Sequence, residues 1–248
     1  MECTDSAAVA TFFATEGLVA GGTVTLSEEA AHHIRVARVA VGECVALRDG
    51  AGRAALGTLV KISKSSALVD IGETSQLPRP APVHLLAPVA DRERMLWLAE
   101  KVTELGVTSW RPVVWRRSKS VSPRGEGPTF QGKVRGRMTS ALIQSGSGWL
   151  PDIFPESTIE RAVAAAPLGT RLLLAKDGEP MIGVSMHAPV TIALGPEGGM
   201  EASERDVFIG AAFLPVKLTE STLRFETAGV AAVAIAAASL ARSRHPNG

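Results

Sequence analysis

The chain has 248 residues, enough for one large domain or two smaller ones, and 46% hydrophobic residues supply the apolar material for a folded, soluble protein. Its two cysteines, Cys3 and Cys44, form no C-x-x-C pair and close at most one bridge, which excludes a disulfide scaffold and points to a cytoplasmic protein. A net charge of +1 excludes a uniformly basic chain, yet eight basic residues face the single acid Glu126 between Arg111 and Arg137, a concentrated positive segment.

In chain order, Glu2 and Asp5 stand where a secretory signal would be basic, so no export signal is expected. Residues 1–75 then read as short strands with turn signals, "GTVTL", "ECVALRDGAGRAALGTLVKI" and "SALVDIG". The turn "RDGAGR" predicts a hairpin between two of them. One helix interrupts the strands, starting at the N-cap Ser27 with Glu28 and Glu29 in its first turn, where the dipole favours acids. His32 and His33 are adjacent and cannot share a helix face, so no metal site is expected; both, with Cys44, read as structural. "SQLPRPAP" carries three prolines in eight residues and reads as a linker, placed at 76–82.

From 83 to 248 the pattern becomes buried-type strands, "VHLLAPV", "RPVVW", "RLLLA", "VTIALG" and "LPVKLT", alternating with helical segments. Met95, Leu98, Val102 and Leu105 make one helix stripe, with Gly106 as its C-terminal cap. This predicts an α/β domain with a parallel sheet. The apolar run Ala228–Ala241 is shorter than a membrane span, and no membrane helix is expected.

"LGPEGG", Leu194 to Gly199, directly follows the strand "VTIAL". In parallel α/β sheets ligands bind outside the carboxyl ends of strands. Gly195, Gly198 and Gly199 let a ligand approach bare backbone, while Pro196 fixes its own φ; an ordinary strand-to-helix turn would use the same composition. No G-x-x-x-x-G-K-[ST] or G-x-G-x-x-G spelling exists, and Glu197 is a poor neighbour for phosphate but a tolerable one for a cation. Downstream, "LTESTLRFETAG" ends another strand and opens an Ala-rich helix near Phe225, placing Arg224 and Glu226 at the helix mouth, as ligand groups or as a surface ion pair.

Taken together, "LGPEGG" and "LTESTLRFETAGVAAVAI" resemble the paired motifs I/L-G-P-E-G-G and L-G-x-x-I/V-L-R-x-E-T-A of the 16S ribosomal RNA uracil-N3 methyltransferases, the RsmE family of the SPOUT superfamily. "HHIRVARVAVGECVALRDGAGR", "RMLWLAEKVTELGV" and "ALIQSGSGWLPDI" agree in order and spacing, so the likeness spans nearly the whole chain. Thr219 stands where the family has Gly, Phe225 where Thr is common, and Asp91 where Lys is common.

The resemblance implies a PUA-like β-barrel that binds RNA, followed by a SPOUT trefoil-knotted α/β domain, acting as a homodimer with S-adenosylmethionine held in the knot. It maps cofactor contacts to Ala175, to Leu194, Gly195, Pro196, Glu197, Gly198 and Gly199, and to Leu218, Thr219, Glu220, Ser221, Thr222 and Leu223. The sulfonium cation calls for carbonyls or a carboxylate, for which Glu197 fits, and for fixed cations kept at a distance. Methylation at uracil N3 removes a proton and spreads negative charge over the ring oxygens. Arg224 is the expected stabiliser of that charge, with Glu226 orienting it or taking the proton; the competing reading needs no protein base, only proximity and pocket electrostatics.

The implied partner is 16S rRNA within the 30S subunit. With 4% aromatics and no tyrosine, its grip is expected from phosphate contacts by Arg35, Arg38, Arg53, Arg116, Arg117 and Lys119. Gln144 and Ser145 match a family motif facing the active site, or cap their helix. The alternatives are methylation of another RNA position, 2′-O-ribose or another base, and a non-catalytic RNA-binding or ribosome assembly factor.

Overall fold

The computed structural model describes residues 8–120 and 124–244. The chain divides into two compact units: residues 1–79 with 139–150, and residues 80–138 with 151–248.

The first unit is built on one five-stranded sheet in the order β1-β3-β4-β5-β2. β1 (Thr11–Phe13) runs parallel to β3 (Cys44–Arg48); β4 (Arg53–Ile62) and β5 (Ala67–Gln76) continue antiparallel, and β2 (Thr23–Leu26) pairs with β5. "RDGAGR" is the β3–β4 turn. Asp49 Oδ1 accepts from Ala51 N at 2.7 Å and Arg53 N at 3.0 Å, while Gly50 and Gly52 take φ of 75° and 91°, open to glycine at little cost. Helix α1 (Glu28–Val36) starts at Ser27, whose hydroxyl accepts from Ala30 N at 3.3 Å. Ala31 and Ile34 of its inner face join Leu18, Val24, Leu26, Val45, Leu47, Leu59 and Val69 in the core, each such aliphatic burial stabilising by ~1.5–3 kcal/mol.

The second unit holds a six-stranded sheet, order β11-β9-β10-β6-β7-β8, with every pairing parallel. Its strands are β6 (Val83–Pro88), β7 (Ser109–Val113), β8 (Asp152–Ile153), β9 (Thr170–Pro180), β10 (Val190–Ala193) and β11 (Leu214–Lys217). β10 is buried at all four positions, as expected of a strand covered on both faces. Between strands lie α2 (Arg92–Glu104), α3 (Pro128–Ser145), α4 (Ile159–Ala164), α5 (Ala202–Gly210) and, after β11, α6 (Phe225–Arg244). α3 begins in the second unit and ends in the first.

α2 follows the predicted stripe, with Met95, Leu98 and Val102 fully buried. Its end is a glycine cap: Gly106 has φ 77° and Val107 N donates to Val102 O at 3.0 Å. Asp91 caps its start, accepting from Arg94 N at 3.0 Å, so the residue that departs from the family's Lys closes the helix. α6 packs on α2 and β6; at Gly229 a Cβ would stand 2.7 Å from Leu98 Cδ1, so a larger residue there would have to displace the leucine tips. By length and composition Phe225–Arg242 could cross a membrane, a longer stretch than the apolar run in the sequence; here Ala232, Val233, Ala236 and Leu240 are buried in the core.

Candidate active site

The carboxyl ends of three parallel strands enclose a cavity of about 430 Å³ in the second unit, within the range that holds a small-molecule cofactor. One wall is Leu174, Ala175 and Lys176 of β9, just beyond its last pair with β10, Leu173 with Ala193. A second is the loop Leu194 to Met200, and a third the segment from Val216 to Leu223 without Glu220; Phe225 and Ala228 of α6 complete the lining. Ala175, Leu194, Gly195, Pro196, Glu197, Gly198, Gly199, Leu218, Thr219, Ser221, Thr222 and Leu223 are therefore brought together around one space. Glu220 is not: its side chain is 86% exposed and accepts from Lys217 Nζ at 2.7 Å.

The glycine loop is a tight turn closed by Gly199 N donating to Pro196 O at 2.9 Å, with Gly199 at φ 78°. It is held from outside by arginines. Arg117 Nη1 donates to Gly198 O at 2.7 Å. A Cβ on Gly198 would stand 3.1 Å from Arg117 Cβ, so this glycine makes room for a protein side chain. Arg116 N donates to the buried Glu204 carboxylate at 2.8 Å and its Nη1 to Glu201 Oε2 at 2.9 Å, tying the 3-10 turn Arg116–Ser120 to the start of α5. Arg94 Nη1 donates to Glu197 Oε1, and Arg94 Nε stands 3.9 Å from Glu226 Oε1.

Glu197 does not stand as a free carboxylate, because Arg94 takes it. Lys176 and Lys217 also line the cavity, the second paired with Glu220. On β9 just after Lys176, Asp177 Oδ2 accepts from Arg205 Nη1 at 2.8 Å, and that hydrogen bond holds the Asp177 carboxyl below its ordinary value.

Arg224 and Glu226 occupy the mouth of α6 but do not pair with each other. Arg224 is exposed, its carbonyl accepts from Ala228 N at 2.9 Å, and no described residue engages its guanidinium. Glu226 is 9% exposed; its Oε2 is buried with no hydrogen-bond partner among the described residues. Thr219 Oγ1 accepts from Ser221 N at 3.2 Å, so the residue replacing the family's glycine folds the loop on itself.

The expected RNA contacts divide. In the first unit Arg38 is exposed, whereas Arg35 Nη1 binds the carbonyls of Ser63 and Lys64 at 2.6 and 3.2 Å, and Arg53 Nη1 that of Leu18 at 2.8 Å. Gln144 is exposed at the end of α3, where Ser145 Oγ accepts from Ser147 N at 3.4 Å in a local turn. The side chain of Lys119 lies outside the described residues. No local pattern in the sequence points to Arg94, whose acceptors Glu197 and Glu226 lie more than a hundred positions downstream.

Comparison with known proteins agrees with this geometry. Residues 77–237 match the model of the RNA methyltransferase domain, and residues 26–72 that of the RNA methyltransferase PUA domain. Ribosomal RNA small subunit methyltransferase E of Synechocystis is 30% identical over 86% of this chain and 72% of its own length. The protein of that name in Mycobacterium bovis is 26% identical over 95% of this chain and 94% of its own. Among solved structures, ribosomal RNA small subunit methyltransferase E of Neisseria gonorrhoeae, bound to S-adenosyl methionine, superposes with a TM-score of 0.83 at 28% identity, covering 91% of this chain and 95% of that one. A probable rRNA-methyltransferase from Porphyromonas gingivalis gives 0.79 at 27% identity, over 95% of this chain and 100% of that one. With a cofactor-sized cavity at the strand ends and a family match over most of its length, the chain belongs to the RNA methyltransferase family, a PUA-like module preceding a SPOUT α/β domain.

Proposed function

We propose that the chain methylates N3 of a uridine in 16S ribosomal RNA, using S-adenosylmethionine. The observation that carries this reading is the cavity walled by the "LGPEGG" loop and by the loop leading to Arg224 and Glu226, in a chain of this family. The residues fit the cofactor: the backbone of Gly195, Gly198 and Gly199 lines the cavity, and Phe225 and Leu223 supply apolar contact. Bound, S-adenosylmethionine supplies an electrophilic methyl group on a sulfonium sulfur.

The protein's own part is proton removal and charge stabilisation. Glu226, with one oxygen unengaged, takes the N3 proton, and Arg224 faces the charge that develops on a ring oxygen. RNA is held by phosphate contacts from Arg38 and from Arg35 and Arg53 of the 1–75 module, with Gln144 and Ser145 as further RNA contacts, while 83–248 carries the chemistry and 76–82 joins the two. Arg116, Arg117 and Lys119 contribute charge toward RNA beside the loop that Arg116 and Arg117 hold. We place the enzyme in the cytoplasm as a homodimer acting on the 30S subunit.

Methyl transfer from labelled cofactor to naked RNA and to 30S particles lacking the modification tests this, followed by nucleoside analysis. N3-methyluridine in 16S rRNA is expected; a 2′-O-methyl nucleoside, or no cofactor binding by calorimetry, would overturn it. Gly198→Ala adds a methyl 3.1 Å from the Cβ of Arg117, which cannot swing aside as a side-chain tip would. Overpacking of ~1–3 kcal/mol should displace the loop and weaken cofactor binding about tenfold or more. An unchanged calorimetric Kd would show that the loop absorbs the methyl.

A further inference from the structure

We propose that Arg94 is a positioning residue that sets the Glu226 carboxylate and the cofactor loop in one geometry, a role resting on the reading of Glu226 as acceptor of the N3 proton. Three elements distant in sequence meet at this side chain: α2 carries it, the loop after β10 offers Glu197, and the first turn of α6 offers Glu226. Its backbone is fixed by the Asp91 cap at 3.0 Å, so the guanidinium projects from a rigid helix start. One fork then serves two carboxylates, through Nη1 on Glu197 and through Nε toward Glu226.

The geometry at Glu226 is asymmetric in a useful way. Its Oε1 faces Arg94 Nε at 3.9 Å, a charge contact beyond hydrogen-bond length, and its Oε2 is buried without a partner among the described residues. A buried carboxylate with no cation nearby would be costly, while one hydrogen-bonded at both oxygens would be a weaker proton acceptor. Arg94 keeps the group in place and takes no hydrogen-bonding site of Oε2. In the step it serves, the N3 proton passes to Glu226 and the N3 electron pair forms the bond to methyl. The sulfur–methyl bond breaks with its electrons remaining on sulfur as a neutral thioether. The side chain of Arg94 is 33% exposed, so its ion pairs contribute little to stability and its effect falls on geometry.

A double-mutant cycle on the full-length protein tests this, using Arg94→Ala, Arg94→Lys, Glu226→Gln, Arg94→Ala with Glu226→Gln, and Glu197→Gln. Each variant is measured for kcat, KM toward unmodified 30S particles, calorimetric Kd of S-adenosylmethionine and thermal midpoint. Arg94→Ala should lower kcat by about 10²-fold, as expected for a displaced catalytic group, with KM for RNA within about twofold. Arg94→Lys should restore part of kcat, and the double variant should be no slower than Glu226→Gln alone, since Arg94 acts through that carboxylate. Glu197→Gln should weaken cofactor binding, since it releases Arg94 from the loop. Losses that multiply in the double variant, or an unchanged kcat in Arg94→Ala, would overturn the proposal while wild-type product remains N3-methyluridine. A wild-type product other than N3-methyluridine would instead overturn the functional reading on which it rests.

Discussion

Replacing Arg224 by alanine is expected to lower kcat about 10²- to 10³-fold, about 2.7–4 kcal/mol of barrier, with cofactor affinity unchanged. The structure separates the two effects. Arg224 is absent from the cavity wall, so its truncation takes nothing from cofactor contact, while its guanidinium is exposed with no described residue competing for it. It also stands at the N-terminus of a 20-residue helix, where Ala228 N already donates to its carbonyl and the helix field favours negative charge. An anion on a uracil oxygen would meet the guanidinium and the helix end together. Single-turnover rates and calorimetry on Arg224→Ala separate the outcomes: unchanged turnover would remove the residue from the mechanism, and a weakened cofactor Kd would reassign it to binding.

Trp115→Ala should cost about 3–5 kcal/mol of stability, the range for large aromatic truncations in a packed core. Trp115 is 1% exposed, stacks on Phe208 with centroids 5.3 Å apart, and Phe208 in turn meets Phe213 edge-on at 5.0 Å. Leu86, Val113, Leu173 and Ala193 close the same cluster, and Met200 at the end of the glycine loop packs against it. At ~2–4 °C per kcal/mol for a domain of this size, the thermal midpoint should fall by roughly 10 °C. Trp115 also precedes Arg116 and Arg117, and its N donates to Ser118 Oγ at 3.3 Å. The same variant should therefore loosen the turn that braces the cofactor loop and weaken cofactor binding at temperatures where the fold survives. A midpoint shift of only a degree or two would mean that the cluster closes over the missing ring.

Features written in local chemistry were readable in advance. Ser27, the "RDGAGR" turn, the Met95–Leu98–Val102 stripe and the glycine loop each depend on residues a few positions apart. What could not be read depends on partners far along the chain. β9 continues through Lys176, Asp177 and Glu179, polar residues that look like a loop, because beyond a register shift it pairs with β11. Gly178 permits this: a Cβ there would stand 2.4 Å from Val216 N. β8, with only two residues, has too little pattern to see. The end of α3 lies within the α/β stretch of the sequence, yet residues 139–150 cluster with the first unit, since helical periodicity does not say against what a face is buried. At the site, the ligand-facing backbone was legible from glycine and proline, but the arginines behind it were not. Arg94, Arg116 and Arg117 find their acceptors about 80 to 130 residues downstream, and charge alone made the last two look like phosphate contacts.

Gly198 and Arg117 lie 81 positions apart, yet the space beside the glycine is filled by the arginine stem, whose Nη1 binds the glycine's own carbonyl. Evolution therefore meets them as one character. In lineages that keep arginine at the first position, the second should stay glycine; where the arginine has been replaced by a short side chain, alanine or serine should become admissible at the second. Sequence variation across related chains should record that pairing as correlated drift between two sites that no local motif connects.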